Sequence, residues 1–575
     1  MGDFLQPGLI MIMTGIIIAF MPDRFEYARK ILMIASPVLV FALLLDSEYI
    51  SSQDRLQFIF AVAFAGAAVV CAIYNLGTKN RYEKASEAVY AGSAVCLLFV
   101  ENWLTMVVFW ELMAVASWLV VISSRTKKAD KAGFRYLLVH FMGGNLLLTG
   151  IIIKMVSGSY QLELLTGQND IAFWLILIGV AVNTAIPPFN GWLPDSYPES
   201  TSAGTVYLGT YTTKVGIFYI IKLFAGTEIL VYFGVIMAIF GAVMALLEND
   251  IKRLFSYHII SQLGYMVAAA SIGSQMGIDG ASAHAFCNIL YKGTLLMCVG
   301  AVVDATGKRK ITQLSGIGKR MPVTSAAFMI SSLAIAGFPP FNGFVGKALV
   351  MNAVTESGLY WAEFALMIAS VGTFFSITLK VNYFVFWGSF SEMECSQTKT
   401  QKISINKKIA MITGAFSCVV TGVFPNIIFS LTPFSINAHP YTLDHMTQYI
   451  QLFAAAGIVF LMYISHMKPK EKITLDTDWF YRKPLALIIN KISFGIEMSL
   501  FRAGKAAAKA ISTGNKCLTN PELFVAKLLG VKETKERNCL EKDDVLYKPI
   551  GWLVALNFAI FIIISAFVLL RRYMF

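Results

Sequence analysis

The sequence predicts an all-α polytopic membrane protein with about 16 transmembrane helices. Three observations carry that prediction. The 575-residue chain is 57% hydrophobic and only 14% charged, whereas a soluble domain carries roughly 25% charged residues, so there is too little charge to cover a water-facing surface. The apolar residues gather into runs near the ~20 residues that a helix needs to cross a bilayer, without the short alternating segments of a membrane β-barrel. The string PPFNG occurs twice, at 187–191 and 339–343, each time beside a broken apolar run. Eight residues after its first proline stands a charge, Asp195 in one copy and Lys347 in the other. Two proline-interrupted segments in corresponding places of one membrane chain point to a transporter built from internal repeats, with its ion path near the breaks.

In chain order the spans are expected near 6–21, 29–46, 55–76, 86–101, 104–123, 131–156, 171–187, 202–224, 228–247, 251–273, 280–304, 323–351, 361–388, 407–430, 447–467 and 551–571. The loops between them alternate in charge. One set holds Arg24, Arg29 and Lys30; Lys79, Arg81 and Lys84; Arg125, Lys127, Lys128 and Lys131; Lys252 and Arg253; Lys308, Arg309, Lys310, Lys319 and Arg320; and Lys399, Lys402, Lys407 and Lys408. The other set holds Arg55, Arg571 and Arg572, while loops 157–170, 274–279, 352–360 and 431–446 have neither Lys nor Arg. Cytoplasmic loops carry the Lys/Arg excess, so the first set is expected to be cytoplasmic and both termini outside. The net charge of +12 then sets topology and implies no nucleic-acid partner. The first apolar run follows Asp3 and lacks a basic leader, so no cleavable signal peptide is expected.

Residues 468–550 depart from this pattern. Within them, 484–514 places apolar residues at helical spacing with lysines between. That suits an amphipathic helix on the membrane face or along partner subunits, followed by a last anchoring span. The eight cysteines form no C-x-x-C pair or Cys/His cluster, and there is no Walker loop or G-x-G-x-x-G. No metal, nucleotide or electron-carrying cofactor is therefore expected in this chain.

A charge in the middle of a span costs at least about 2.5 kcal/mol and is a functional hypothesis by default. Glu111, Lys214 and Lys292 lie near the middles of their spans, His258 and His140 lie within theirs, and Lys347 follows the second PPFNG. His284 is eight residues before Lys292, which puts the two within about 80° around one helix. Such groups suit proton or cation relay: an amine in low dielectric releases its proton more readily, and a nearby carboxylate opposes that. Histidine titrates near neutrality, and proline breaks free backbone carbonyls for water. Lys154, Lys222 and Glu248 sit near span ends and are expected to snorkel. Asp195 and Glu199 are either proton-uptake acids at the break or plain loop charges.

Five stretches make the resemblance specific: FWELM, PPFNGWLPDSYPESTSAGTVYLGTYTTK, ENDIKRLFSYHIISQLGYM, AHAFCNILYKGTLLMCVGA and GFPPFNGFVGKALV. They resemble the antiporter-like subunits of respiratory complex I, Mrp-type cation/proton antiporters and membrane-bound hydrogenases over about 90–390. Within that group the chain is most similar to the branch that holds the D-type subunits of Mrp antiporters and the membrane-bound hydrogenases. The resemblance implies two inverted five-helix repeats, each with a broken helix. The expected organisation is N-terminal helices at 1–85, repeats at 86–227 and 228–390, additional helices at 391–467, the interfacial segment 468–550 and an anchor at 551–575. It also implies a path in which Glu111 and Lys214 load protons, His284 and Lys292 connect, and Lys347 releases them; His258, as an intramembrane histidine, is expected along the same path. Two positions depart from the family pattern: Asn183 stands where most members have a lysine, and Asn288 where many have a histidine. An amide takes up no proton.

The resulting expectation is a subunit of a multisubunit complex in a prokaryotic cytoplasmic (inner) membrane. It would move H⁺, alone or with Na⁺, while partner membrane subunits carry any redox chemistry. Two other readings fit the same residues: a stand-alone secondary solute transporter, since broken helices and repeats occur there too, and a spacer subunit that has lost conduction.

Overall fold

The computed structural model describes residues 6–45, 54–388, 401–434 and 438–464, with Lys491 and Met498. The chain divides into two compact units, Met1–Thr474 and Leu475–Phe575. Apart from those last two residues, the expected interfacial helix and C-terminal anchor lie outside the described residues.

Every regular element described is helical, and the only β contacts among the described residues are isolated bridges between Asn102 and Gln161 and between Asp250 and Lys310. Three helices open the chain: α1 (Gly8–Phe20), α2 (Glu26–Leu44) and α3 (Arg55–Tyr74). Five spans follow. They are α4 (Arg81–Leu98), α5 (Trp103–Ile122), α6 (Lys127–Val156), a broken span made of α7 (Ile171–Thr184) and the short α8 (Trp192–Ser196), and a span made of α9 (Ser202–Thr210) and α10 (Thr212–Phe224). A second five repeat the plan: α11 (Ile229–Leu247), α12 (Ile251–Ile272), α13 (Gln275–Thr306), the broken pair α14 (Pro322–Ala336) and α15 (Asn342–Glu356), and α16 (Tyr360–Thr373), which runs on as a π-helix through Phe374–Trp387. Then come α17 (Ile405–Val423), α18 (Asn426–Phe429) and α19 (Leu443–Tyr463). Eight described helices are long and apolar enough to cross a membrane, while Gly8–Phe20, Ile171–Thr184 and Pro322–Ala336 are apolar but shorter.

Local chemistry places the ends. Side chains of Asn102, Thr126, Asp170, Thr201, Asp250 and Ser274 cap the N-termini of α5, α6, α7, α9, α12 and α13 by accepting first-turn N–H groups. Gly273 and Gly337 end α12 and α14 in the left-handed region; Ala185 does the same for α7 at φ 56°. The most widely connected of the central helices is α13. It touches α3, α9, α12, α14, α15 and α17, and nearly all of its residues are buried, as expected of a helix that is mostly apolar all round.

Candidate functional site

The first expectation to change is the span 202–224, which is broken at Tyr211 rather than continuous. Thr212 gives its backbone N–H to the Tyr90 hydroxyl (3.0 Å), which also bonds the Thr212 hydroxyl at 2.6 Å. On the other side of the break, Lys214 Nζ donates to the Gly209 carbonyl at 2.7 Å. Two side chains thus stand where the helix would have used its own backbone.

The second break is built on the same plan. Lys347 Nζ, 1% exposed, donates to the carbonyl of Ala336, the last residue of α14, at 2.9 Å and to Ser370 Oγ at 3.0 Å. Ser370 donates to the same carbonyl. Cations favour helix C-termini, and an amine remains a donor whether neutral or charged. These two contacts therefore survive a change of protonation state.

Between the breaks lies the centre of α13. Lys292 is fully buried and its Nζ has no hydrogen-bond partner; the Phe255 ring centre is 5.2 Å away. The next residue, Gly293, is buried, yet a Cβ there would meet no atom within 4 Å, so the helix has free internal space at that position. His284 is buried with both ring nitrogens unpartnered and packs against Gly346 of α15. His258 bonds Ser376 of the π-helix through Nε2 at 2.8 Å, leaving Nδ1 without a partner. Asn288 donates to the Tyr291 hydroxyl, which donates to Gln262. The charge of Lys214 acts on Lys292 and on His284, that of Lys347 on His284 and His258, and that of Lys292 on His258. Lys214, Lys292, His284, His258 and Lys347 thus form one electrostatically continuous row.

Glu111 is not brought into that row. It lies on α5 against Gly144 of α6, partly exposed, and makes no ion pair among the described residues. Asn183 is 1% exposed near the end of α7 and its Nδ2 is unpartnered. Its neighbour Val182 packs on Gly143, so position 183 and Glu111 flank the same stretch of α6. His140 stacks on Tyr136 (3.9 Å between ring centres) and donates from Nδ1 to the Tyr136 carbonyl, a packing role. The asparagines of both PPFNG strings, Asn190 and Asn342, are fully buried with both side-chain polar atoms unpartnered. Such atoms are where ordered water is expected. Among the described residues no His/Cys/Asp/Glu group is placed to hold a metal.

Asp195 and Glu199 are held by arginines: Arg135 grips Asp195 with two bonds of 2.6 and 2.8 Å, and Arg309 meets Glu199 at 3.2 Å. Arg135 is 37% exposed, so the pair is screened and contributes about 1 kcal/mol. Asp195→Asn is accordingly expected to lower the melting temperature of the purified complex by a few degrees at most and to leave proton uptake within twofold of the parent. A larger loss of uptake would make Asp195 a proton carrier.

Residues 100–376 match the family described as NADH:quinone oxidoreductase/Mrp antiporter, transmembrane. Through that stretch the chain is similar to this family. A D-type Na(+)/H(+) antiporter subunit of Alkalihalophilus pseudofirmus is 30% identical over 50% of this chain and 62% of its own length. Hydrogenase-4 component B of Escherichia coli is 28% identical over 51% of this chain and 49% of its own. The chain thus spans about half to three-fifths of these two relatives. A chain from the Mrp complex of Dietzia sp. shares the fold, with a TM-score of 0.66 at 19% identity, covering 78% of this chain and 98% of that one.

Some buried charged residues leave little mark in the sequence. Lys380, on the π-helix, donates to the carbonyls of Leu246 (2.7 Å) and Glu248 (2.8 Å), capping α11. It is a third lysine on a helix end, and its charge also reaches His258. A lysine inside the apolar run 361–388 was the available signal. Lys84 and Lys252, counted above as loop charges, are 2% and 4% exposed; Lys252 bonds the Ser200 carbonyl and Thr205. Lys154 and Glu248, expected to snorkel, are also buried: Lys154 bonds Gln168 and Asp170, and Glu248 accepts from the N–H groups of Asn249 and Asp250.

Proposed function

We propose that the chain is a proton-translocating membrane subunit of a multisubunit cation/proton antiporter or redox-driven complex of a prokaryotic cytoplasmic membrane. The observation that carries this is the buried row from Lys214 through Lys292 and His284 to Lys347, whose two end lysines each cap a carbonyl freed at a helix break. Protons load at Lys214, with Glu111 as a more peripheral acid. They pass through His284, Lys292 and His258 and leave at Lys347. The lysines work by repulsion: charge on one disfavours charge on the next. The basic loops face the cytoplasm and both termini lie outside. Of the two repeats, 86–227 supplies the breaks at Ala185 and Tyr211, and 228–390 supplies the break at Gly337. Electron transfer, and any exchange for Na⁺, depends on partner membrane subunits. Likeness to subunits of Mrp antiporters and of a hydrogenase supports membership in such a complex.

A non-conducting spacer is the second reading, and Asn183 favours it, since an amide leaves Glu111 without a titrating neighbour. Proton uptake by vesicles holding the intact complex separates the two, with assembly followed on a native gel. Lys214→Ala is expected to assemble and lose at least nine-tenths of uptake. Asn183→Lys, which restores a titrating amine near the end of α7, is expected to assemble and raise uptake severalfold. Unchanged uptake in both variants would establish the spacer.

A further inference from the structure

We propose that a cavity at the basic-loop face is a proton inlet, and that Glu87 passes the proton it receives there to Lys214 through Tyr90 and Thr212. This rests on Lys214 being a proton carrier.

The cavity, about 410 Å³, lies among Asn75, Glu83, Thr201, Ser202, Asp304 and Lys407. Its wall comes from segments that adjoin the basic loops at 79–84, 308–310 and 402–408. Thr201 donates to Glu83 (2.7 Å), Ser202 donates to Asp304 (2.6 Å), and Lys407 pairs with Asp304. The exposed Asp304 places the mouth at the surface.

Behind this wall the polar groups continue inward. Asn75, 2% exposed, lines the cavity and donates through Nδ2 to one oxygen of Glu87, which is fully buried. The other Glu87 oxygen, Oε1, and Asn75 Oδ1 have no hydrogen-bond partner. A buried polar atom left so costs about 1–3 kcal/mol, and the open space adjoining Asn75 is the cavity. The sequence spacing extends the line: Glu83, Glu87 and Tyr90 are four and three residues apart on α4, so they share one face. That face meets the break at Tyr211, where the Tyr90 hydroxyl bonds Thr212 and the Tyr90 ring packs edge-on against Tyr211 at 5.4 Å. The charge of Glu87 reaches both Tyr207 and Tyr211. From Thr212 one step along the chain leads to Thr213, whose hydroxyl lies 3.4 Å from Lys214 Nζ.

The transfer balances. The Glu87 carboxyl gives up one proton and becomes a carboxylate. With water bridging Glu87 to the Tyr90 hydroxyl and Thr212 to Thr213, each water and hydroxyl along the line accepts one proton and releases its own, and the neutral Lys214 amine becomes an ammonium. A proton drawn through the cavity past Glu83 restores the Glu87 carboxyl. The charged and titratable groups facing Glu87 are Glu83 and Lys84 on α4, Cys71 on α3, and Tyr207 and Tyr211 across the break. None of these steps uses position 183, so the inlet needs no lysine there.

The experiment is proton uptake by vesicles holding the intact complex, with Lys214→Ala as the reference for a blocked path. Glu87→Gln is expected to assemble and lose at least nine-tenths of uptake, while Glu87→Asp, which keeps the carboxyl, recovers a measurable share. Tyr90→Phe keeps the ring and its packing and is expected to lose at least four-fifths. Parental uptake in Glu87→Gln beside a silent Lys214→Ala overturns the inlet and leaves the proposed function standing. Parental uptake in Lys214→Ala overturns the function and the inlet with it. If Glu87→Gln does not assemble, Tyr90→Phe decides alone, and parental uptake in it overturns the inlet.

Discussion

Lys292→Met is expected to assemble fully, melt at the parental temperature or above it, and take up less than a tenth of the parental proton flux. The Lys292 amine is buried without a hydrogen-bond partner, an arrangement whose desolvation costs several kcal/mol when the amine is charged. Methionine keeps the length and flexibility of the side chain and removes the charge, so folding loses nothing by the exchange. Lysines 214 and 347 differ, because each also holds a freed carbonyl, and replacing either mixes a structural loss with a functional one. Lys292 therefore gives the cleanest separation. Its position also makes it the connector, since the charge of Lys214 acts on it and its own charge acts on His258. Uptake assays and thermal melts on the same preparation check both halves, and sustained uptake would remove Lys292 from the path.

The membrane class, the apolar runs and the two proline breaks were legible because each leaves a linear mark: composition, run length, or a residue that cannot continue a helix. The break at Tyr211 left none. Residues 202–224 contain no proline, and the interruption depends on the Tyr90 hydroxyl, about 120 residues earlier, taking the Thr212 N–H. Intramembrane lysines were legible one at a time, but their partners were not. That Lys214, Lys347 and Lys380 each hold a carbonyl at a helix end is a statement about three-dimensional proximity. Basic residues at span ends were ambiguous for a related reason. Lys84 and Lys252 fit the alternation of loop charge as well as any exposed lysine, and only packing tells them apart. Glu87 sat one residue inside an expected span, where a charge reads as an interfacial one, so it lacked the mid-span signal of Glu111. The row of groups around α13 also argues against a stand-alone solute transporter, because its titratable groups extend from one break to the other instead of converging on one enclosed pocket.

Gly343→Ala is expected to prevent assembly or to destabilise the complex severely, while Gly293→Ala, also on a buried helix of the same repeat, is expected to be tolerated. An ideal Cβ on Gly343 would lie 1.7 Å from the Ala334 carbonyl oxygen, a backbone atom. That oxygen already accepts the Gly337 N–H in the cap that ends α14, so it cannot swing aside without undoing the break. Two residues on, the Ala336 carbonyl holds Lys347 and Ser370. A backbone shift that relieves the clash thus also pulls the terminal lysine of the row off its acceptor, and the cost should exceed about 3 kcal/mol. At Gly293 the added methyl meets nothing within 4 Å, and the helix gains up to about 1 kcal/mol in propensity. A native gel and a thermal melt distinguish the pair. A Gly343→Ala complex that assembles and melts like the parent would mean that α14 and α15 can separate freely at the break. The close crossing of the two half-helices would then no longer be what positions Lys347.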